Sequence, residues 1–373
     1  MKILITGGAG FIGSHTADAL LDEGFKVRVL DSLEEPMHPG GRIPSYLDKR
    51  IEFIKGDVRD EPTLLTALTG CDVAYHLAAF QDYLPMYSRF FDTNVTSTAL
   101  IYELIQRENL SIKKVIVASS QATLGEGLYH DADGKPLLPG IRPVAQLKQG
   151  IWEVQPPPGV RGPLQWQSTD ESVANPQNPY GLSKIAEENI ALHIGKRIGV
   201  PSVAMRYSIV QGPRQSFYNA YSGACRVFCL NFHLDREPPI YEDGQQIRDF
   251  VNIQDVVDAN LLVLRDERAD FEMFHVGGEK PITVLTFAQA VAEVFGKQGY
   301  EPRPCGKFRF GDTRHICSDV GKLKALGWAP ARNIYDSVEA YQTWLSEVGA
   351  TGDILDYCNK QMAKQNVVRE ASI

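Results

Sequence analysis

The stretch Lys2-Ile3-Leu4-Ile5-Thr6-Gly7-Gly8-Ala9-Gly10-Phe11-Ile12-Gly13 decides the fold. An apolar run of strand length ends in glycines at 7, 10 and 13, after which Phe11, Ile12, Ala17, Leu20 and Leu21 recur with helical spacing up to Gly24. The reading is strand, glycine turn, helix. Gly7, Gly10 and Gly13 permit a tight turn, close approach of backbone N–H groups to a pyrophosphate, and close packing of helix on strand, with the helix N-terminus facing the phosphates. Outward from this motif, Phe25 to Leu30 reads as a second strand ending in Asp31, 18 residues beyond Gly13. A carboxylate there accepts the adenosine ribose hydroxyls and repels a 2′-phosphate, which favours NAD over NADP.

The same alternation continues down the chain. Ile51 to Ile54, Val73 to Leu77 and Lys114 to Ala118 read as further strands, with helices over about 62–68 and 88–107 between them. Strands alternating with helices imply an α/β fold, a Rossmann-type doubly wound parallel sheet, whose ligand lies at the carboxyl ends of the strands. Gly7, Asp31, Asp57, Ala78 and Ser119 all fall there. Asp57 is expected near an adenine, and the small residues Ala78 and Ala79 let backbone pass close to a cofactor. One hydroxyl of Ser119-Ser120 can donate to, or relay from, a substrate hydroxyl.

At 373 residues the chain can bury a large core, and 43% hydrophobic with 23% charged residues is ordinary for a globular protein. A net charge of −8 gives no electrostatic reason to expect nucleic acid. No apolar run approaches membrane-spanning length, the N-terminal segment is too short for a signal sequence, and the six cysteines at 71, 225, 229, 305, 317 and 358 contain no CxxC. A cytoplasmic protein with reduced thiols and no membrane partner is expected.

Pro179 can open a helix, and Ile185, Ala186, Ile190 and Ile194 continue it. Tyr180 and Lys184 then share one face, where an ammonium favours the phenolate and lowers the phenol pKa. A phenol so tuned can take a proton from a substrate hydroxyl.

Gly7xxGly10xxGly13, Asp31, Gly56-Asp57-Val58, His76-Leu77-Ala78-Ala79, Asn94, Ser119-Ser120 and Tyr180xxxLys184 form an ordered set. It resembles the extended short-chain dehydrogenase/reductase family in its nucleotide-sugar epimerase branch. Gly212-Pro213, Arg248-Asp249-Phe250-Val251, Asp255-Val256 and Gly311-Asp312-x-Arg314-His315 extend the resemblance to about Trp328. The segments Gly125–Tyr129, Gly150–Glu153 and Gly212–Ser216 look closest to dTDP-rhamnose 4-epimerase-like members. The resemblance implies Ser120, Tyr180 and Lys184 as catalytic residues. It implies an NAD site formed by Gly7, Gly10, Phe11, Ile12, Gly13, Asp31, Asp57, Val58, Leu77, Ala78, Ala79, Asn94, Ser119, Tyr180, Lys184 and Tyr207, with Lys184 on the nicotinamide ribose. Substrate contacts are implied for Ser120, Gln121, Arg214, Arg248 and Arg314. The implied partners are a dTDP-, UDP- or GDP-linked sugar and a second copy of the chain, paired through the helices near 88–107 and 179–198.

The chain departs from the family pattern in three places, the first being Leu124-Gly125 where many members have Tyr-Gly after the serine loop. Ser208-Ile209 replaces Phe-Asn, which removes an Asn that helps hold the sugar nucleotide, and the insertion lacks paired cysteines, so no metal is expected. The implied activity is epimerisation of a nucleotide-linked hexose at C4 through a 4-keto sugar. Gln121 and Ala122 stand where the dehydratase branch carries an acid pair. The alternatives are another NAD-dependent nucleotide-sugar oxidation or decarboxylation, and a non-catalytic NAD(H)-sensing binding protein.

For domains, the sequence gives an NAD-binding unit over 1–211, interrupted by a Pro/Gly-rich insertion at about 129–178. Residues 212–352 mainly form a substrate-binding lobe, with 245–264 a candidate to return to the main sheet, and 353–373 are a polar tail that can fray. Both ends of the insertion are anchored beside the Ser120 and Tyr180 segments. With Trp152 and Trp166 to dock it, the insertion is expected to form a lid over the sugar.

Overall fold

The computed structural model describes residues 1–82, 85–218, 223–278, 280–349, 355–357, 360, 362 and 367–372. Cys358, parts of the expected polar tail and 219–222 of the loop that follows Phe217 lie outside the described residues.

Seven parallel strands form the main sheet: β1 Lys2–Thr6, β2 Lys26–Asp31, β3 Glu52–Lys55, β4 Val73–His76, β5 Lys114–Ser120, β6 Ser202–Tyr207 and β7 Glu272–Val276. Their order is β7-β6-β5-β4-β1-β2-β3, with Ile5 of β1 in register with Val29 of β2 and with Tyr75 of β4. The strand order reverses between β1 and β4, which opens a crevice at the carboxyl ends of those strands.

The near-continuous apolar strands follow from burial on both faces. Ile3 and Ile5 pack with Ala17 and Leu20 of helix α1 (Phe11–Asp22). Leu4, between them, faces Leu64 and Leu68 of α2 (Glu61–Leu68) and Ile101 and Ile105 of the helix over Ser97–Arg107. Each such fully buried aliphatic side chain contributes about 1.5–3 kcal/mol of transfer free energy. Helix α3 starts at Tyr87–Phe90, passes through a π-helical turn at Phe91–Thr96, and continues as Ser97–Arg107. Helix α4 repeats the device: Pro179–Asn189, a π-helical turn at Ile190–Ile194, then Gly195–Ile198. The sequence pattern gave both helices' extents but not their π turns, which are local insertions invisible to a 3.6-residue period.

A second core holds Phe228 of α5 (Ala224–His233), Phe287 of α7 (Val284–Val294), Tyr341 and Leu345 of α8 (Ile334–Val348), and Phe250. Helix α6 (Ile253–Arg265) instead joins the main sheet's core through Val256 and Val263, and its Asn260 donates to Thr16 of α1 at 3.1 Å.

The 129–178 insertion carries regular structure. Leu128–His130 pairs with Pro136–Leu137 and with Gln165–Gln167 in a small antiparallel sheet, and Val144–Lys148 is a short helix. The described residues near the end of the tail are held. Val368–Glu370 pairs with Lys307–Arg309, Ala371 packs beside Leu147, Trp152 and Phe308, and Ser372 N donates to Lys148 O at 2.8 Å.

Candidate active site

A cleft of about 1060 Å³ runs from the glycine turn to the second lobe. At its first end Gly7 adopts φ +70°, and a Cβ there would lie 2.7 Å from Ala78 N, so only glycine lets β1 and β4 end this close together. Helix α1 begins at Gly10 with no side-chain cap and no acid in its first turn, leaving its N-terminal N–H groups to the cleft beside Phe11, Ile12 and Gly13. Asp31 accepts from Ala9 N at 3.0 Å and from Leu33 N at 2.9 Å, which fixes the carboxylate, and the buried His38 Nε2 lies 3.7 Å from its Oδ1. Asp57, Val58, Leu77, Ala78, Ala79, Ser119, Tyr180, Lys184 and Tyr207 line the same cleft. This donor and acceptor set fits a dinucleotide: an uncapped helix N-terminus for the pyrophosphate and a fixed carboxylate for the ribose.

Two residues expected at the cofactor differ in position or availability. Asn94 is fully buried and does not line the cleft. Its amide donates to Ser183 Oγ (2.9 Å) and Phe80 O (3.1 Å) and accepts from Phe80 N (2.7 Å), so it clamps the segment after β4 to α4. Tyr207 lines the cleft, but its hydroxyl donates to Asn260 at 2.7 Å.

At the centre, Asn178 caps α4 by accepting from Gly181 N at 2.8 Å, which starts the helix one residue before Tyr180. A Cβ on Gly181 would lie 2.4 Å from Ala122 O, so this glycine lets α4 press against the segment after β5. Tyr180 is thereby hydrogen-bonded to Ser120, whose Oγ also accepts from Ala122 N at 3.1 Å. Lys184 Nζ lies 5.8 Å from the Tyr180 ring centroid and donates to Ala118 O and Glu187 Oε2, each at 2.7 Å. The expected lowering of the Tyr180 pKa is outweighed. Burial raises it, Lys184 pulls it down, Glu187 pushes it back up, and the net direction is upward. Glu187 is the residue that the sequence reading missed: a Tyr/Lys pair four residues apart gives no sign of a carboxylate beside the ammonium.

At the far end, Arg248 and Arg314 part company. Arg248 lines the cleft, with its guanidinium on three backbone carbonyls: Ile247 O (2.9 Å), Arg314 O (3.1 Å) and Thr313 O (2.9 Å). Among the described residues no carboxylate lies within ion-pair distance, and burial lowers its pKa. Arg314 is withdrawn from the cleft and buried, paired with the buried Glu242 (3.1 Å) and with the more exposed Asp243 (2.7 Å) and Glu153, and Arg142 of the insertion also meets Glu242 at 2.8 Å. Three acids outcompete any ligand for it. Arg214 lines the cleft at its glycine-turn end, paired with Asp18 at 2.7 Å and lying over Tyr46, which itself donates to Ala9 O. Arg309, on the strand that precedes Gly311-Asp312, lines the far end over the Tyr241 ring and was not singled out from sequence. Gln121 lines the cleft with Oε1 buried and unpartnered, and Ile209 lines it where the family pattern has Asn.

Of the insertion, Ile141, Gln177 and Asn178 line the cleft, while its tryptophans dock on the second lobe. Trp152 lies 6.1 Å from the Phe308 ring, and Trp166 stacks on His315 at 6.0 Å. The insertion therefore reaches the cleft only at its rim.

Residues 3–144 and 153–277 match the family described as NAD dependent epimerase/dehydratase. The chain is 31% identical over 352 residues to a dTDP-L-rhamnose 4-epimerase of Burkholderia thailandensis, covering 93% of this chain and 95% of that one. Among solved structures, a Thermotoga maritima UDP-glucose 4-epimerase with UDP-glucose is similar at TM-score 0.74 and 26% identity, covering 94% of this chain and 100% of that one. A Thermus thermophilus UDP-glucose 4-epimerase in complex with NAD is similar at TM-score 0.71 and 25% identity, with the same coverage.

Proposed function

Because the chain belongs to the NAD dependent epimerase/dehydratase family, we propose that it inverts C4 of a nucleotide-linked hexose, with a 6-deoxyhexose on dTDP as the first substrate to try. The observation that carries this reading is the single cleft that joins the uncapped α1 N-terminus and Asp31, through Tyr180 and Ser120, to the carbonyl-held guanidinium of Arg248. Bound NAD supplies a hydride acceptor that returns the same hydride. Tyr180 takes the C4 hydroxyl proton and gives it back, Ser120 holds that hydroxyl in line, and the Lys184 ammonium stabilises the phenolate. Lys184's third N–H is left for the nicotinamide ribose. Arg248 meets the diphosphate, Arg309 lines the same cleft near Asp312 at 3.9 Å, and Gln121 Oε1 takes a sugar hydroxyl. Arg214 belongs to the pyrophosphate end, and Arg314 holds the second lobe together.

The domain reading that goes with this is a cofactor unit over 1–211 and a substrate lobe over 212–352, with α6 and β7 returning to the sheet. A homodimer is proposed through α3 and α4, supported by Tyr87, Phe91 and Leu182, which are 61%, 40% and 45% exposed on those helices. Among the described residues no helix is long and apolar enough to cross a membrane; a cytoplasmic location is proposed from the reduced thiols and the cofactor.

The test is NMR of the purified protein with dTDP-L-rhamnose, UDP-glucose and UDP-glucuronic acid. Turnover of one of them to its C4 epimer is expected, with Tyr180→Phe reducing kcat by roughly 10²–10⁴-fold while NAD stays bound. Near-normal kcat in that variant contradicts the assignment.

A further inference from the structure

Resting on the reading just given, the geometry points to Glu187 as a positioning residue: its carboxylate takes one of the Lys184 ammonium's donors and governs how much of the lysine charge reaches Tyr180. Lys184 Nζ has three N–H groups, and two are spoken for by Ala118 O and Glu187 Oε2, both at 2.7 Å. Since Lys184 lines the cleft, the remaining one is the donor available to a ligand.

Glu187 is fully buried, and its Oε1 has no hydrogen-bond partner. A carboxylate buried with an acceptor unmet is costly, and an apolar side chain of that size fills the same space without the cost. Its neighbour Glu188 does the structural work, accepting from Arg206 Nε at 2.7 Å and from Ser119 Oγ. Glu187 by contrast, among the described residues, makes its one side-chain polar contact with Lys184 of the candidate site.

Few other charges compete for this carboxylate. On α4 the neighbours are Tyr180, Lys184 and Glu188, the last already paired with Arg206 of β6. From α3 comes Tyr102, whose hydroxyl donates to Ser202 Oγ at 2.8 Å, and from β4 comes His76, held neutral by burial first and then by Lys184, at about 3. When Glu187 is ionised it cancels part of the lysine's field at Tyr180; when it is protonated the field is felt in full. Burial pushes the Glu187 carboxyl up, Lys184 at 2.7 Å pulls it down, and the net direction is upward. The three groups titrate as a unit, and removing one negative charge lowers the pKa of the other two.

The test is the pH dependence of kcat/KM in the NAD-loaded enzyme, with the fastest substrate of the panel above. Glu187→Gln is expected to move both limbs of the profile to lower pH by about 0.5–1 unit, and Glu187→Asp, which keeps the charge, to bring them back toward the parent's. Limbs that coincide with the parent's in a folded Glu187→Gln enzyme overturn the inference, because a purely structural role lowers thermal stability without moving either limb. If Gln at 187 prevents folding, Glu187→Ala, which leaves room for water, is read by the same criterion. Failure here is distinct from failure of the proposed function: an inactive Tyr180→Phe with unmoved Glu187→Gln limbs removes only the role of Glu187, whereas an active Tyr180→Phe removes the reading beneath it.

Discussion

At the glycine-turn end of the cleft the key charge, Asp31, is fixed by two backbone N–H groups; at the far end Arg248 is fixed by three backbone carbonyls. Dipoles hold both groups; Asp31 also has the buried His38 Nε2 at 3.7 Å, whose pKa burial lowers against the pull of Asp31. Arg314 lies in the strand-to-loop region next to Arg248, yet it meets three carboxylates and is spent. If Arg248 binds the diphosphate as proposed, the kind of partner that positions each arginine separates the two roles: carbonyls orient a guanidinium without neutralising it, whereas carboxylates do both.

Substitutions at the two arginines sharpen this contrast. Arg314→Ala removes the buried guanidinium shared by Glu153, Glu242 and Asp243 and leaves Glu242 to Arg142 alone, and is expected to cost roughly 1–3 kcal/mol of stability in thermal or denaturant unfolding. Arg248→Ala should leave the unfolding midpoint nearly unchanged but raise KM for the nucleotide sugar about 10–100-fold, the worth of a charge-assisted contact. Reversed outcomes, a KM effect at Arg314 and a stability loss at Arg248, break the comparison.

The smallest effect concerns the junction between insertion and second lobe. Glu153 is held down at about 2, first by its hydrogen bond to His315 and then by Arg314. A carboxylate whose folded pKa lies below its unfolded value of 4.5 contributes its stabilisation above pH 4.5 and loses it as pH falls toward 2. Trp166, stacked on His315, should report this as a change in fluorescence between pH 4.5 and 2 that precedes global unfolding and is absent in Glu153→Gln.

The cofactor end was legible in the sequence because its geometry is written locally. Glycines at fixed spacing, a strand-end Asp and a Pro-Tyr helix start each define a conformation within a few residues. The ion cluster was not legible, because Arg142, Glu153, Glu242 and Arg314 come from segments up to 172 residues apart and no period links them. The same reason hid Glu126, which accepts from Arg314 N at 2.6 Å, and the pairing of the tail with Lys307–Arg309. The insertion was read correctly as docked through its tryptophans, but the surface they choose is the second lobe, where the ion cluster already pins Arg142 and Glu153.

The central claim, that one cleft oxidises and re-reduces the same sugar carbon, is tested most directly with the hexose of the active nucleotide sugar deuterated at C4. The enzyme is given no added NAD, and the product is analysed by NMR and mass spectrometry. The account predicts full retention of deuterium at C4 in the epimer with no accumulation of NADH. Exchange of the label with solvent, or stoichiometric release of NADH with a keto product, contradicts it.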